Sequence, residues 1–120
     1  MSKKAQIYGI KNCDTVRKSL KWLAENEIDN DFHDLKVESL SASLIKEWLK
    51  HIDKDKLVNK RGLTWRKIPD ESKSLETQND IIKLIQNNPT VVKRPIAFNG
   101  KSWSVGFKPE NWNTKFLKCK

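Results

Sequence analysis

The chain has 120 residues, of which 37% are hydrophobic and 32% charged, with a formal net charge of +9. That length suits a single domain, residues 1–120, with a proper core. No apolar run approaches the roughly 20 residues needed to cross a bilayer, and the N-terminus lacks a signal-peptide core, so a cytoplasmic protein without a membrane partner is expected.

Residues 5–10 read as a short strand buried on at least one face. Val16, Leu20, Leu23 and Ala24 then recur at helical spacing from Thr15 to Asn26, with Arg17, Lys18 and Lys21 on the opposite face. Either Cys13 or Asp14 serves as the cap. Residues 31–35 alternate as a second strand, completing a βαβ unit. Ser41 caps a helix running to about His51, with Leu44, Ile45, Trp48, Leu49 and Ile52 on its apolar face. Residues 54–68 carry no clear period. A further helix spans about 77–87 and stops before Pro89.

The last third changes character. Residues 90–98 are β-branched and predict an extended segment. Asn99 and Gly100 form a strong type I′ hairpin signal, and residues 102–107 return with period-two alternation. Pro109 opens a terminal helix holding Trp112, Phe116 and Leu117. The order is βαβ, helices, ββα, which predicts an α/β, thioredoxin-like fold with a helical subdomain inserted at about 38–88. In such folds a redox cysteine lies at the start of the first helix, and a cis proline opens the third strand beside it. Cys13 and Pro95 stand at those places.

Cys13 is the candidate centre. Unpaired N–H groups and the helix dipole favour a thiolate at a helix N-terminus, and Lys11, Arg17 and Lys18 add positive charge. The alternative is a small buried hydrophobe, as many free cysteines are. His33 and His51 have no ligand partners at metal spacing, so no metal site is expected. The 24 basic residues are spread along the whole chain, as on a lysine-rich soluble surface. An anionic substrate or acidic protein partner is the further reading of that charge, and nucleic-acid binding would rest on charge alone.

Three stretches resemble the arsenate reductase (ArsC) family, its YffB-type branch in particular, near the Spx-type regulators. They are residues 10–18 (Ile-Lys-Asn-Cys-Asp-Thr-Val-Arg-Lys), residues 57–67 (Leu-Val-Asn-Lys-Arg-Gly-Leu-Thr-Trp-Arg-Lys) and residues 92–96 (Val-Lys-Arg-Pro-Ile). The resemblance implies that Cys13 is the catalytic nucleophile and that Arg94, before Pro95, binds an anion. Thr15 matches the family's threonine; Lys11, Asn12 and Asp14, on the same loop, are expected to contact the substrate, Asp14 reading equally well as a helix cap alone. The chain departs elsewhere: Gly9 replaces a histidine, Val16 replaces the serine that bonds the thiolate, and Asn59 replaces a second arginine, with Arg61 close by. No arginine falls in residues 104–107.

Spx-type relatives carry a second cysteine where this chain has Val16, so a disulfide switch across one helical turn is not expected. Cys119 is read as a bystander. A one-cysteine site needs an external thiol, and glutathione is the expected co-substrate, with no bound cofactor. Two functions follow: a glutathione-dependent thiol reductase acting on a small thiol, disulfide or oxyanion, or a non-catalytic regulator that docks on a protein such as RNA polymerase.

Overall fold

A computed structural model of the chain describes residues 4–117. The residues divide into two compact units, one built from the chain up to Asp34 and from Arg94 onward, the other from Leu35–Lys93. The insertion expected at 38–88 lies within the second unit.

The first unit is a four-stranded sheet in the order β2-β1-β3-β4, where β1 is Ala5–Gly9, β2 Asn30–Asp34, β3 Ile96–Phe98 and β4 Trp103–Val105. β1 runs parallel to β2, with Ala5 opposite Asn30, and antiparallel to β3, with Tyr8 opposite Ile96. Helix α1, Asp14–Glu25, crosses over between β1 and β2. With the ββα half that follows, this is the thioredoxin-like arrangement. The first strand ends one residue before the expected limit, because Ile10 already accepts a turn bond from the Cys13 N–H at 3.4 Å. The second begins one residue early, where Asn30 registers with Ala5.

Alternation sorts the sheet residues by face. Ala5, Ile7 and Ala97 face α1 and join Leu23 and Trp112 in a fully buried core, with Phe32, Phe107 and Phe116 packed around it. Ser19 is the one polar residue buried in α1, and its hydroxyl donates to the Val16 carbonyl at 2.6 Å. α1 ends through Glu27 at φ 55°, where the Ile28 N–H closes on the Leu23 carbonyl at 2.9 Å. On the other face, Tyr8 stacks on His33 at 4.4 Å and 14°, as their direct pairing requires.

The extended segment expected over residues 90–98 is mostly not strand. Pro89–Val91 form a 3-10 turn, Val92 makes a single bridge to Val58 in the second unit, and only Ile96–Phe98 join the sheet. Proline explains this at both ends: Pro89 presets a turn, and Pro95 has no N–H to give a ladder. The hairpin also differs in detail. Asn99 precedes the turn, its N–H reaching the Ser102 carbonyl at 3.2 Å while its Oδ1 accepts from the Lys101 and Ser102 N–H groups. Gly100, at φ 98°, and Lys101 take the two central positions.

The chain then enters α6, Pro109–Trp112, which widens into a π-helical turn, Asn113–Leu117. Trp112 is buried edge-on against Trp22 at 5.7 Å and Phe107 at 4.8 Å. Cys119 lies outside the described residues.

In the second unit, α2 (Ala42–His51) and α5 (Gln78–Asn87) are each capped by a hydroxyl, Ser41 to the Leu44 N–H and Thr77 to the Asp80 N–H, both at 3.1 Å. Ile45 and Trp48 from α2 and Ile81, Ile82, Leu84 and Ile85 from α5 are buried. The stretch without a clear period resolves into two short helices, α3 (Lys54–Leu57) and α4 (Leu63–Lys67). No helix among the described residues is long and apolar enough to cross a membrane.

Trp112→Ala should cost about 3–5 kcal/mol, as for other buried aromatics cut to alanine, read as a shifted urea midpoint at unchanged slope. A shift below about 1 kcal/mol would mean that Trp112 does not hold the first unit together. A smaller effect concerns Asp31. Gln6 Nε2 donates to its Oδ2 at 3.0 Å and Lys4 lies 3.7 Å away, which holds this carboxyl below its ordinary value of 3.8. Its stabilising contribution is therefore present above pH 3.8 and lost as pH falls through the lower folded value. Gln6→Leu should move the Asp31 midpoint up in an NMR titration; an unmoved midpoint would assign the effect to other neighbours.

Candidate functional site

The first unit assembles most of the expected site by strand register alone. With Tyr8 opposite Ile96, the end of β1 at Gly9 is level with Pro95, at the start of β3. The chain leaves β1 through an exposed turn at Lys11 and Asn12 and enters α1 at Cys13. The Arg94–Pro95 peptide bond is cis, Arg94 is half-buried and Pro95 buried. The Pro95 carbonyl accepts from the Gly106 N–H at 2.9 Å. The Cys13 loop and the Arg94–Pro95 step therefore meet at the same end of the sheet.

Cys13 is the N-cap of α1, in extended backbone at φ −100° and ψ 124°. Its carbonyl accepts the first helical bond, from the Arg17 N–H at 2.9 Å. Its side chain makes no capping hydrogen bond, and the thiol is free and half-buried. A serine or aspartate here would give its oxygen to an N–H of the first turn. The sulfur is instead left at the positive end of a helix with its chemistry uncommitted. Asp14 follows the cap rather than forming it. Its carboxylate pairs with Arg17 at 3.1 Å on the exposed surface, so one of the cations placed near Cys13 already faces an acid. Lys11 and Thr15 are exposed on the same loop and turn.

Asn59 and Arg61 belong to the second unit. Asn59 organises its own loop there: its N–H reaches the Val91 carbonyl at 2.8 Å, its carbonyl accepts from Gly62 at 3.3 Å, and its Oδ1 accepts from the Arg61 N–H at 3.2 Å. A Cβ on Gly62 would sit 2.9 Å from Asn59 Nδ2, so a side chain there would have to displace the Asn59 amide. The Arg61 side chain is exposed. Among the described residues, no group of three or more His, Cys, Asp and Glu side chains is placed to hold a metal ion.

One feature of the site was not legible from residue types. Val16, fully buried in the first turn of α1, rests on the bare α carbon of Gly9: a Cβ on Gly9 would lie 2.7 Å from Val16 Cγ2. Two of the positions at which this chain departs from the pattern it resembles are thus one packed pair. Neither can change freely without the other. Gly9→Ala should cost about 1–3 kcal/mol as an overpacking change. In a Val16→Ala background the same change should cost far less, because the obstructing methyls are gone. Denaturant unfolding of the two single variants and the double variant gives the coupling directly; strictly additive costs would show that the contact carries no strain.

Comparisons with known proteins agree with this geometry. The ArsC family model matches residues 8–115. The structure of a YffB protein superposes with a TM-score of 0.86 at 32% identity, covering 92% of this chain and 97% of that one. An arsenate reductase (ArsC) related protein from Brucella melitensis is 38% identical, with a TM-score of 0.72 and 95% of each chain covered. The global transcriptional regulator Spx of Listeria innocua is 31% identical over 106 residues, 87% of this chain and 80% of that protein.

Proposed function

This chain belongs to the ArsC family, and on that premise we propose that it is a glutathione-dependent thiol reductase with Cys13 as its single nucleophile. The observation that carries the reading is the position of the thiol. It sits at the N-cap of α1 with no capping bond of its own, at the sheet end where Arg94 and Pro95 lead into β3.

The cycle balances with glutathione as the reductant. The Cys13 thiolate attacks the glutathione sulfur of a mixed disulfide, breaking the substrate S–S bond. The substrate leaves as a thiolate and takes a proton from solvent, while Cys13 is joined to glutathione. A second glutathione thiolate then attacks that disulfide, releases oxidised glutathione and restores the Cys13 thiolate. Per cycle one free glutathione is consumed: the mixed disulfide and glutathione give the substrate thiol and oxidised glutathione, the incoming glutathione sulfur being oxidised as the substrate sulfur is reduced. Helix N–H groups stabilise the sulfur as an anion when it leaves, and Arg94 supplies a guanidinium for a carboxylate or an oxyanion on the incoming molecule. Lys11, Asn12 and Thr15, beside Cys13 in the same loop and first helical turn, are the proposed substrate contacts.

The packing of Val16 on Gly9 favours sulfur over arsenate as the centre attacked. It leaves no room at position 9 for a side chain and no hydroxyl at position 16, two of the helpers that the resemblance associates with arsenate chemistry.

A second reading is supported by the likeness to Spx: a non-catalytic regulator that docks on a protein such as RNA polymerase. Its lysine-rich surface suits an acidic partner surface. A pull-down with a stoichiometric partner, unaffected by Cys13→Ser, would favour it.

The reductase reading is tested by glutathione-coupled turnover of 2-hydroxyethyl disulfide. Cys13→Ser should fall to background, Arg94→Ala should lose roughly tenfold in kcat/KM, and Cys119→Ser should keep full activity. Turnover that survives Cys13→Ser, or disappears with Cys119→Ser, would overturn the one-cysteine cycle.

A further inference from the structure

The edge strand β4 carries a second feature that residue types alone did not reveal. Ser102, Ser104 and Gly106 alternate with Trp103 and Val105. Ser104 pairs with Ala97, whose side chain joins the core beneath α1, so the small residues lie on the helical side of the sheet. Three small side chains in a row leave space there. A cleft of about 560 Å³ runs between them and the C-terminal helical segment, with Trp112 in its wall. That volume is in the range of about 300–1,000 Å³ usual for ligand sites.

The cleft has polar groups along its length. At the hairpin end, Lys115 Nζ is held 2.7 Å from the Ser102 carbonyl and 3.2 Å from its hydroxyl. At the opposite end, Lys108 follows Gly106 by two residues and is exposed. Ser102 and Gly106 are four residue steps apart, roughly 13 Å of extended chain. Between them, Ser104 Oγ is buried and meets no hydrogen-bond partner among the described residues. No carboxylate is among the residues lining the cleft. The Gly106 end is bonded to the Pro95 carbonyl, at the sheet end that carries Cys13.

We propose that this cleft binds the extended backbone of a short, carboxylate-bearing peptide thiol, with its carboxylates toward Lys108 and Lys115 and its sulfur toward Cys13. A cation near each end selects a ligand with separated negative charges. The direction of the sulfur rests on the reductase reading; occupancy of the cleft does not.

The test uses the ¹⁵N-labelled full chain titrated with S-methylglutathione, which has the peptide and carboxylates but no thiol to react. Saturable shifts of the Ser104, Gly106 and Lys108 amides are expected. Lys108→Glu, at an exposed position that should not disturb folding, should weaken binding by roughly fivefold. Ser104→Leu should fill the cleft and abolish binding, and its thermal melt reports whether it is folded; should it unfold, Lys108→Glu decides alone. Shifts confined to residues outside the cleft, no saturable shift, or unchanged affinity in Lys108→Glu would overturn the proposal. Because S-methylglutathione cannot react, the two ideas separate. Cleft binding without glutathionylation of Cys13 sinks the reductase reading only; glutathionylation without cleft binding sinks this one only.

Discussion

Val16 resting on the α carbon of Gly9 is the contact through which the sheet sets the position of Cys13. Gly9 is the last residue of the central strand, and Val16 lies in the first turn of the helix that follows. The six residues between them have little freedom once those two are packed, because the helix axis and the strand end are both held. Bare backbone at position 9 is what allows the approach. The core beneath, from Ala5 and Ile7 to Leu23 and Trp112, anchors the same strand and helix from the other end. The antiparallel register of β3 then brings Arg94 and Pro95 to this end of the sheet.

The chemistry follows from what the cap lacks. A cysteine at the N-cap takes a position that oxygen side chains usually fill, and it leaves the first-turn N–H groups without their side-chain acceptor. Negative charge that forms on the sulfur when a disulfide is opened would lie at the positive end of the helix. The neighbouring carboxylate, Asp14, is turned to Arg17 on the surface. The thiol thus sits at a helix N-terminus, at the sheet end to which the register of β3 brings Arg94 and Pro95.

Much of this was readable in the chain. Helical spacing in α1, α2 and α5, the capping hydroxyl of Ser41, and the strand–helix junction at Cys13 all stand out as local patterns, and local patterns are what sequence periodicity reports. The features that escaped are relations between distant residues. The span 90–98 looked extended because its residues favour strands, yet Pro89 and Pro95 limit the ladder to Ile96–Phe98. Asn99 and Gly100 marked the hairpin, but only the bonds to Lys101 and Ser102 show that Asn99 stands before the turn. Gly9 and Val16 were visible as departures, and their mutual packing was not. The cleft beside β4 left a faint trace, the alternation of Ser102, Ser104 and Gly106, whose meaning depends on the helix that comes to lie across it.

The central claim is that Cys13 carries the covalent step. The most direct measurement is rapid acid quenching of the protein during turnover of a glutathione mixed disulfide, followed by peptide mass spectrometry. A glutathione adduct on Cys13 should rise at the rate of substrate cleavage and decay at the rate at which oxidised glutathione appears. An adduct that forms more slowly than turnover, or one found only on Cys119, would contradict the account.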